Sequence, residues 1–568
     1  MRGVAWHRAD MTSTTVPTVP YQTMAELFLT RAEDDNPGLL FEDERWSWRE
    51  VVREAAVRSA IQQHYAPTDA RPWHVGVLLE NTPEYLFQIG GAALSGATVV
   101  GINPTRRGEE LARDIRATDV DTIFVDAAYA DLLEGIDHGA TRVVRVDGPE
   151  YAALLAEHAD APLTPTAKAL DPATTLVLLF TSGSTGAPKA VICSTRRWAF
   201  VCQVNPMVFG FGDVAYNAMP LFHGNALMSA WGPCIKGGAA FAMRRKFSAS
   251  GFLGDIQKFG ATFFNYVGRS LAYVLAQPEQ PTERDNKLKY GFGTEASARD
   301  RAEFLRRYGV AVMESYGSSE GACYIIHNAE TPEGALGLPQ VGHNPVIWDT
   351  DGNECPRAEF DADGMLLNPE EAIGEIVSLD AAAKFEGYYN NPEASAEKLR
   401  DGHFFTGDLA YRDADGFFYF AGRTADWIRV DSENFAAAPV ERIVARFPGV
   451  AVVAVYPVPD PQTGDQVMAT VQMVVDADFD PDAFAAFLAD QPDLGTKWAP
   501  RLLRVTAALP VTATSKVDKP QLRRMLWGGD EPVFERRRDG SYVQLDASAR
   551  ARIEQEFAEH GRTQFIRS

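Results

Sequence analysis

From about residue 20 to residue 345, short apolar runs alternate with amphipathic helical windows, and this alternation restricts the chain to a layered α/β architecture. The runs at 75–79, 122–125, 176–180, 218–221 and 310–313 have the length of buried strands. Helical windows between them supply the crossover connections that parallel strands need, so largely parallel sheets are expected. The longest apolar stretch, 85–104, is interrupted by Gln88 and by Gly90, Gly91, Gly96 and Gly101. It reads as a buried helix followed by a strand, not as a bilayer span.

After Gly374 the pattern turns to hairpins: a strand at 375–378, then 408–411 pairing with 417–421 across Asp413-Ala414-Asp415-Gly416. This is expected to be a small β-barrel-like part closing a large domain over 21–424. A further change follows Arg423, with a helix at 439–447, strands at 450–458 and 469–475, a helix at 481–489 and a strand at 502–505. These outline a small α+β domain over 425–568, with a polar tail from Trp527 onward. Residues 1–20, rich in Ser, Thr and Pro over 12–20, read as a disordered leader, and Met11 is an alternative start.

The chain has 54 basic and 77 acidic residues, a net charge of -23, which disfavours a nucleic-acid partner or an anionic lipid surface. Cys193, Cys202, Cys234, Cys323 and Cys355 are odd in number and lack paired short spacing. Reduced, mostly buried thiols in a cytoplasmic protein are expected, with no transmembrane segment.

The strongest local signal is Thr181-Ser182-Gly183-Ser184-Thr185-Gly186-Ala187-Pro188-Lys189, set between the apolar run 176–180 and a strand-like 190–194. Backbone N–H groups and hydroxyls of such a loop can turn toward a polyphosphate while the lysine adds positive charge. The spacing differs from G-x-x-x-x-G-K-[ST], and a strand follows in place of a helix. Further along the chain come Pro220-Leu221-Phe222-His223-Gly224, Gly291-Phe292-Gly293-Thr294-Glu295-Ala296 and Glu314-Ser315-Tyr316-Gly317-Ser318-Ser319-Glu320. Thr406-Gly407-Asp408, Gly422-Arg423 and Leu509-Pro510-Val511-Thr512-Ala513-Thr514-Ser515-Lys516 complete the series.

In that order, these segments resemble the motifs of the adenylate-forming (AMP-binding) superfamily of acyl-CoA synthetases, adenylation domains and luciferases. Segments 220–226, 247–253, 265–276 and 422–434 look most like its bacterial long-chain and steroid-side-chain acyl-CoA ligases. The resemblance implies an AMP-forming ligase that joins an acid to AMP with loss of pyrophosphate and passes it to CoA. It implies ATP, Mg²⁺ and CoA as cofactors and co-substrates, a small-molecule acid as partner, and a mobile C-terminal domain that rotates between the two half-reactions.

By the same resemblance, Thr181, Ser182, Gly183, Ser184, Thr185, Gly186 and Lys189 hold phosphate, with Thr185 and Glu320 as the Mg²⁺ ligands. Tyr316 stacks on adenine, Ser319 contacts phosphate, Asp408 accepts from the ribose hydroxyls and Arg423 contacts the nucleotide. Lys516 is the catalytic lysine, with Lys519 as the substitute, because attack on the α-phosphorus adds negative charge. His223 stands at the gate of the acid pocket and can donate or accept at neutral pH. The 291–296 segment lies where the family places a turn against adenine. Phe209, Phe211, Trp231, Phe263, Phe264 and Tyr266 either narrow the acid pocket or form ordinary core.

Two places depart from the family pattern. Ala425 occupies the pivot position, usually Asp or Lys, with an acid following at Asp426. Asp431-Ser432 replace one or two glycines before Glu433, where a Cβ in left-handed backbone costs roughly 1–2 kcal/mol. Both serve the second half-reaction, so the acceptor stays open. It is CoA, or an amine in amide formation, or an aromatic amine diazotised through ATP-activated nitrite, as in a diazotase of secondary metabolism. A catalytically inactive ATP-binding protein is the remaining alternative, against which Lys516 argues, since a binding module has no use for it.

Overall fold

The computed structural model describes residues 19–566 apart from 69–70, 182–188, 206, 208, 268–269, 295, 297, 329, 362–365, 380, 424–426, 431–432, 463–464, 476, 492–493, 496 and 513–515. Packing gathers the chain into two units. One comprises Met1–Ala329, Pro339–Asn344 and Asp380–Phe404; the other comprises Glu330–Leu338, Pro345–Leu379 and Phe405–Ser568.

The first unit is built on two twisted sheets, as the alternation of apolar runs and helical windows requires. In one sheet the strands run Leu338–Pro339, Tyr324–Ile326, Val312–Gly317, Tyr290–Thr294, Phe263–Val267, Val214–Asn217, Ala240–Met243, Pro37–Phe41, Glu44–Ser47. The pairs from Val312–Gly317 through Pro37–Phe41 are parallel, whereas Glu44–Ser47 pairs antiparallel with Pro37–Phe41 and Tyr324–Ile326 antiparallel with Val312–Gly317. The other sheet has the order Arg142–Arg145, Val120–Val125, His74–Leu78, Thr98–Gly101, Thr175–Thr181, Lys189–Ser194. It is parallel up to its last pair.

The interrupted stretch at 85–104 becomes the helix Pro83–Ser95 and the strand Thr98–Gly101. Its glycines permit a close helix crossing: a Cβ on Gly90 would stand 2.7 Å from Ala55 Cβ, and one on Gly91 2.8 Å from Arg58 Cβ. Gln88, fully buried, accepts from Gln62 Nε2 at 2.9 Å and donates to Glu84 and to the Tyr151 hydroxyl. Its polar atoms are therefore satisfied inside the core. Among the described residues no helix is long and apolar enough to cross a membrane. All five cysteines are free and buried.

The second unit carries a small sheet in which Gly374–Leu379 lies beside His403–Arg412, which pairs antiparallel with Phe418–Arg423. Beyond it, Val450–Pro459, Asp465–Met473, Leu502–Thr506, Val533–Arg536 and Tyr542–Gln544 form a five-stranded sheet. The helices Ala437–Val444 and Pro481–Ala489 contribute to its core, where Phe447 packs on Phe484 and Phe484 on Tyr542. The mixed α/β class and the large-then-small organisation agree with expectation.

Two expectations are corrected. The run 218–221 is not a strand: the strand is Val214–Asn217, and the backbone after it is captured by side-chain amides. Asn81 Nδ2 and Asn217 Nδ2 donate to Met219 O at 3.0 and 2.9 Å, while Leu221 N donates to Asn81 Oδ1 at 3.0 Å. The residues after Trp527 are not a polar tail. They add the last two strands and the helix Ala547–Glu559, whose Phe557 packs on Trp527 with ring centroids 5.8 Å apart. The run Arg536-Arg537-Arg538 masks a sparse apolar set, Val533, Tyr542, Leu545, Ile553 and Phe557, all of it buried.

Candidate active site

The strands Thr175–Thr181 and Lys189–Ser194 pair antiparallel, with Thr181 opposite Lys189. The Thr181 hydroxyl donates to Lys189 O at 3.4 Å. The phosphate-loop sequence is therefore the connection of a hairpin anchored at both ends; its residues Ser182, Gly183, Ser184, Thr185 and Gly186 lie outside the described residues. Lys189 is only 8% exposed. Its ammonium lies 3.8 Å from the Glu397 carboxylate and 5.3 Å from the centre of the Tyr388 ring.

The strand Val312–Gly317 runs straight into the second motif and carries the half-buried Tyr316, paired with Ile325 on the strand Tyr324–Ile326. Ser319 and Glu320 follow in a turn closed by Gly321, whose φ of +70° favours glycine. Glu320 is 8% exposed and accepts a hydrogen bond from the Tyr388 hydroxyl at 2.8 Å. Arg197 ties the turn to the phosphate-loop hairpin, donating to Ile192 O at 2.9 Å and to Ser319 O. His343 supports the far side of the turn, with Nδ1 3.1 Å from Ala322 O and its ring edge-on to Tyr324. Burial, reinforced by the charge of Lys384, pushes His343 down to about 4, so its imidazole is neutral and Nδ1–H is the donor to Ala322 O.

His223 caps the short helix Gly224–Ala226, its Nδ1 accepting from Asn225 N at 3.3 Å. A Cβ on Gly224 would meet Leu179 Cδ1 at 3.3 Å and Ser319 Oγ at 3.8 Å, so the histidine segment lies against both preceding motifs. A π-helical turn, Leu227–Trp231, follows; such bulges recur at functional sites. On the neighbouring strand, buried Asn265 donates to Asn225 Oδ1 at 2.7 Å.

The 291–296 segment begins on the strand Tyr290–Thr294, and Ala296 N donates to the Glu314 carboxylate. Arg301 pairs with the same carboxylate at 2.6 Å. Burial pushes the Glu314 carboxyl up, and the Ala296 hydrogen bond and the Arg301 charge oppose it. Glu295 lies outside the described residues. Of the bulky set, Phe209 packs on Phe263, Phe264 on Phe252 and Phe304, and Trp231 on Trp198, whereas Phe211 is 65% exposed. Those four buried rings belong to the aromatic core.

In the second unit, Asp408 and Arg423 are register partners on adjacent strands. The Thr406 hydroxyl donates to Ile376 O at 2.8 Å, and Gly407 N to the Glu375 carboxylate at 2.7 Å, fixing the stretch of the strand His403–Arg412 that carries Asp408. Lys516 is tied to Thr512: Thr512 N donates to Lys516 O at 2.7 Å and Lys516 N to Thr512 Oγ1 at 3.3 Å, and 513–515 between them lie outside the described residues. Lys519 pairs with Glu441 at 2.9 Å. Ala425, Asp426, Asp431 and Ser432 lie outside the described residues.

Within the first unit, then, Lys189 and Glu320 meet on Tyr388, and Ser319 and His223 lie on adjoining segments. A cation, a carboxylate and an anchored Gly/Ser/Thr loop are the parts required to grip a charged, metal-neutralised phosphate chain. Sequence reasoning missed Tyr388, Arg197 and His343. The one available signal was the aromatic-rich Gly387-Tyr388-Tyr389-Asn390-Asn391-Pro392, which carries no chemical signature alone.

Comparison with protein families matches residues 29–389 to the AMP-binding enzyme family and residues 439–516 to the AMP-binding enzyme C-terminal domain. The chain is 50% identical over 552 residues to a steroid-22-oyl-CoA synthetase of Rhodococcus jostii (strain RHA1), covering 96% of this chain and 99% of the relative. It is 43% identical over 525 residues to the medium/long-chain-fatty-acid–CoA ligase FadD17 of Mycobacterium tuberculosis, covering 92% and 100%. The fold matches ATP-bound MatB from Rhodopseudomonas palustris with a TM-score of 0.77 at 23% identity, over 88% of this chain and 98% of that one. With a family match over most of its length and close relatives spanning nearly all of it, the chain belongs to the AMP-binding enzyme family.

Proposed function

We propose that this enzyme activates the carboxylate of a medium- to long-chain or steroid-side-chain acid as its AMP ester and transfers the acyl group to CoA. The observation that carries the AMP-forming step is the meeting of Lys189 and Glu320 on Tyr388, at the base of the Gly/Ser/Thr hairpin. The acid class and the acceptor rest on likeness to the CoA ligases of Rhodococcus and Mycobacterium, which extends over nearly the full chain.

Magnesium fits this site in one particular way. Among the described residues no group of three or more His, Cys, Asp or Glu could hold a metal ion. Glu320, with one oxygen engaged by Tyr388, offers a single carboxylate, the donor set of an ion that keeps water and takes its remaining ligands from substrate phosphates. When bound, Mg²⁺ neutralises charge on the departing pyrophosphate. In this reading Glu320, with Thr185, holds the metal, Lys189 and Ser319 hold phosphate, Tyr316 stacks on adenine, and Asp408 and Arg423 hold the rest of the nucleotide. Lys516 offsets the charge that builds at the α-phosphorus, and His223 lines the entry of the acid. A cytoplasmic location follows from the use of ATP and CoA.

The test is pyrophosphate release with mass spectrometry of products, using ATP and Mg²⁺ with fatty, steroid-side-chain and aromatic acids, each with and without CoA. CoA thioesters of fatty or steroid-side-chain acids are the expected result. Amides from added amines, or diazo products from nitrite and aminobenzoates, without any CoA thioester, would overturn the assignment of the acceptor.

A further inference from the structure

Tyr388 belongs to a segment zipped onto the strand that follows the phosphate loop. Tyr389 N donates to Ala190 O at 2.8 Å and Ile192 N to Gly387 O at 3.1 Å, while Tyr388 lies across from Val191. Next to it, the Glu386 carboxylate accepts from Ser194 N and Oγ at 2.7 and 2.6 Å. Tyr388 N donates to Ser395 Oγ at 2.9 Å, and the ring, 4% exposed, is wedged against Phe385. The side chain is therefore fixed from both flanks before any ligand arrives.

Its two ends meet two different groups. The hydroxyl donates to Glu320 Oε1 at 2.8 Å, and the ring lies 5.3 Å from the Lys189 ammonium. A carboxylate and an ammonium buried near one another tend to pair directly, which would consume the charge each has to offer a ligand. A tyrosine serving both satisfies one carboxylate oxygen and gives the cation a weakly attractive partner, leaving the second oxygen for the metal; the ammonium, otherwise 3.8 Å from the exposed Glu397 carboxylate, can exchange that long contact for phosphate.

We infer that Tyr388 is a positioning residue for metal-bound nucleotide: it holds Glu320 oriented toward the metal and seats Lys189 for phosphate. This rests on Glu320 and Lys189 serving the phosphates of ATP. Tyr388 acts through those two residues and is not itself assigned a contact with ATP.

The test uses the full-length protein and calorimetric titration of ATP, once with excess Mg²⁺ and once with EDTA, on wild type, Tyr388→Phe, Glu320→Gln and the double variant. Tyr388→Phe keeps the ring, so ATP affinity in EDTA should stay within about twofold of wild type. The gain in affinity conferred by Mg²⁺ should shrink roughly tenfold, the worth of a hydrogen bond to a charged group. Glu320→Gln should lose that gain, and the double variant should lose no more than Glu320→Gln alone. In turnover, Tyr388→Phe should raise the Mg²⁺ concentration needed for half-maximal rate and recover its kcat at saturating Mg²⁺. Tyr388→Leu, lacking the ring as well, should bind ATP more weakly even in EDTA.

A Tyr388→Phe protein that keeps its full Mg²⁺ gain while Glu320→Gln loses it would overturn the role of Tyr388 and leave that of Glu320 standing. Equal losses in EDTA and Mg²⁺, or additive losses in the double variant, would also overturn it. An undiminished gain in Glu320→Gln would overturn the metal role of Glu320 and the positioning role together.

Discussion

Asp408 and Arg423 stand opposite one another across an antiparallel strand pair, each preceded by a glycine at positive φ, +79° at Gly407 and +125° at Gly422. Two motifs that read separately in the sequence are thus two ends of one hairpin, and its register sets their separation. Asp408 is expected to accept from ribose hydroxyls, so Asp408→Ala should raise the KM for ATP roughly 10- to 100-fold, as loss of hydrogen bonds to a charged group would. The sharper measurement is the ratio of kcat/KM for ATP over 2′-deoxy-ATP. Asp408→Ala should bring that ratio close to one, and a preserved preference for ATP would remove Asp408 from the ribose.

Lys516 and Lys519 are assigned different work. Lys519 is paired with Glu441 at 2.9 Å, and Glu441 also accepts from Val455 N at 2.8 Å, so Lys519 ties its helix to the five-stranded sheet. Lys519→Met should leave acid-dependent pyrophosphate release within about threefold and lower stability by about 1 kcal/mol, the scale of a partly exposed pair. Lys516→Ala should slow adenylate formation by roughly 100-fold or more with little change in melting temperature, because a charge aimed at the transition state acts on rate. Single-turnover kinetics and thermal melts of the two variants separate these outcomes, and a reversed pattern would exchange the two assignments.

Much of this was legible because the signals are local. The run at 176–180 with a lysine-ended Gly/Ser/Thr loop gives the hairpin, and Asp480 before Pro481 gives the start of Pro481–Ala489, where the Asp480 side chain accepts from Asp482 N and Ala483 N. The pairing of 408–411 with 417–421 followed from its four-residue turn. What stayed hidden depends on tertiary hydrogen bonds. Tyr388 reaches a residue 68 positions away in Glu320, and Asn81 takes the backbone at 219–221 out of the sheet from 138 and 140 positions away. Periodicity reports which face is buried, and it is silent about which side chain a buried polar atom will find.

Gly321 tests how tightly the Ser319–Glu320 turn is held. At its φ of +70° a Cβ is strained, and it would stand 2.4 Å from Arg197 Nη2, the atom that donates to Ser319 O. Gly321→Ala should therefore destabilise the protein by about 1–3 kcal/mol and displace the guanidinium from the turn. Because the turn carries Ser319 and Glu320, kcat/KM for ATP should fall at least tenfold at temperatures where the variant is fully folded. Unchanged ATP kinetics would show that the turn tolerates loss of its arginine brace.

His343 gives the fold an acid-sensitive element. Burial, with Lys384 adding to it, holds its folded value at about 4, against about 6.5 for an unfolded histidine. Between those values the unfolded chain binds the proton and the folded one does not, so stability falls as pH drops through 6.5 and the loss levels off below 4. The slope is at most about 1.4 kcal/mol per pH unit, or about 3 kcal/mol over the whole window. His74 is depressed by burial as well and adds in the same direction. His343→Asn keeps a donor for Ala322 O but has nothing to titrate, so its stability should fall less steeply than wild type between pH 6.5 and 4.5. Melting temperatures of the two proteins across that range give the comparison, and parallel curves would show that His343 is already protonated in the fold.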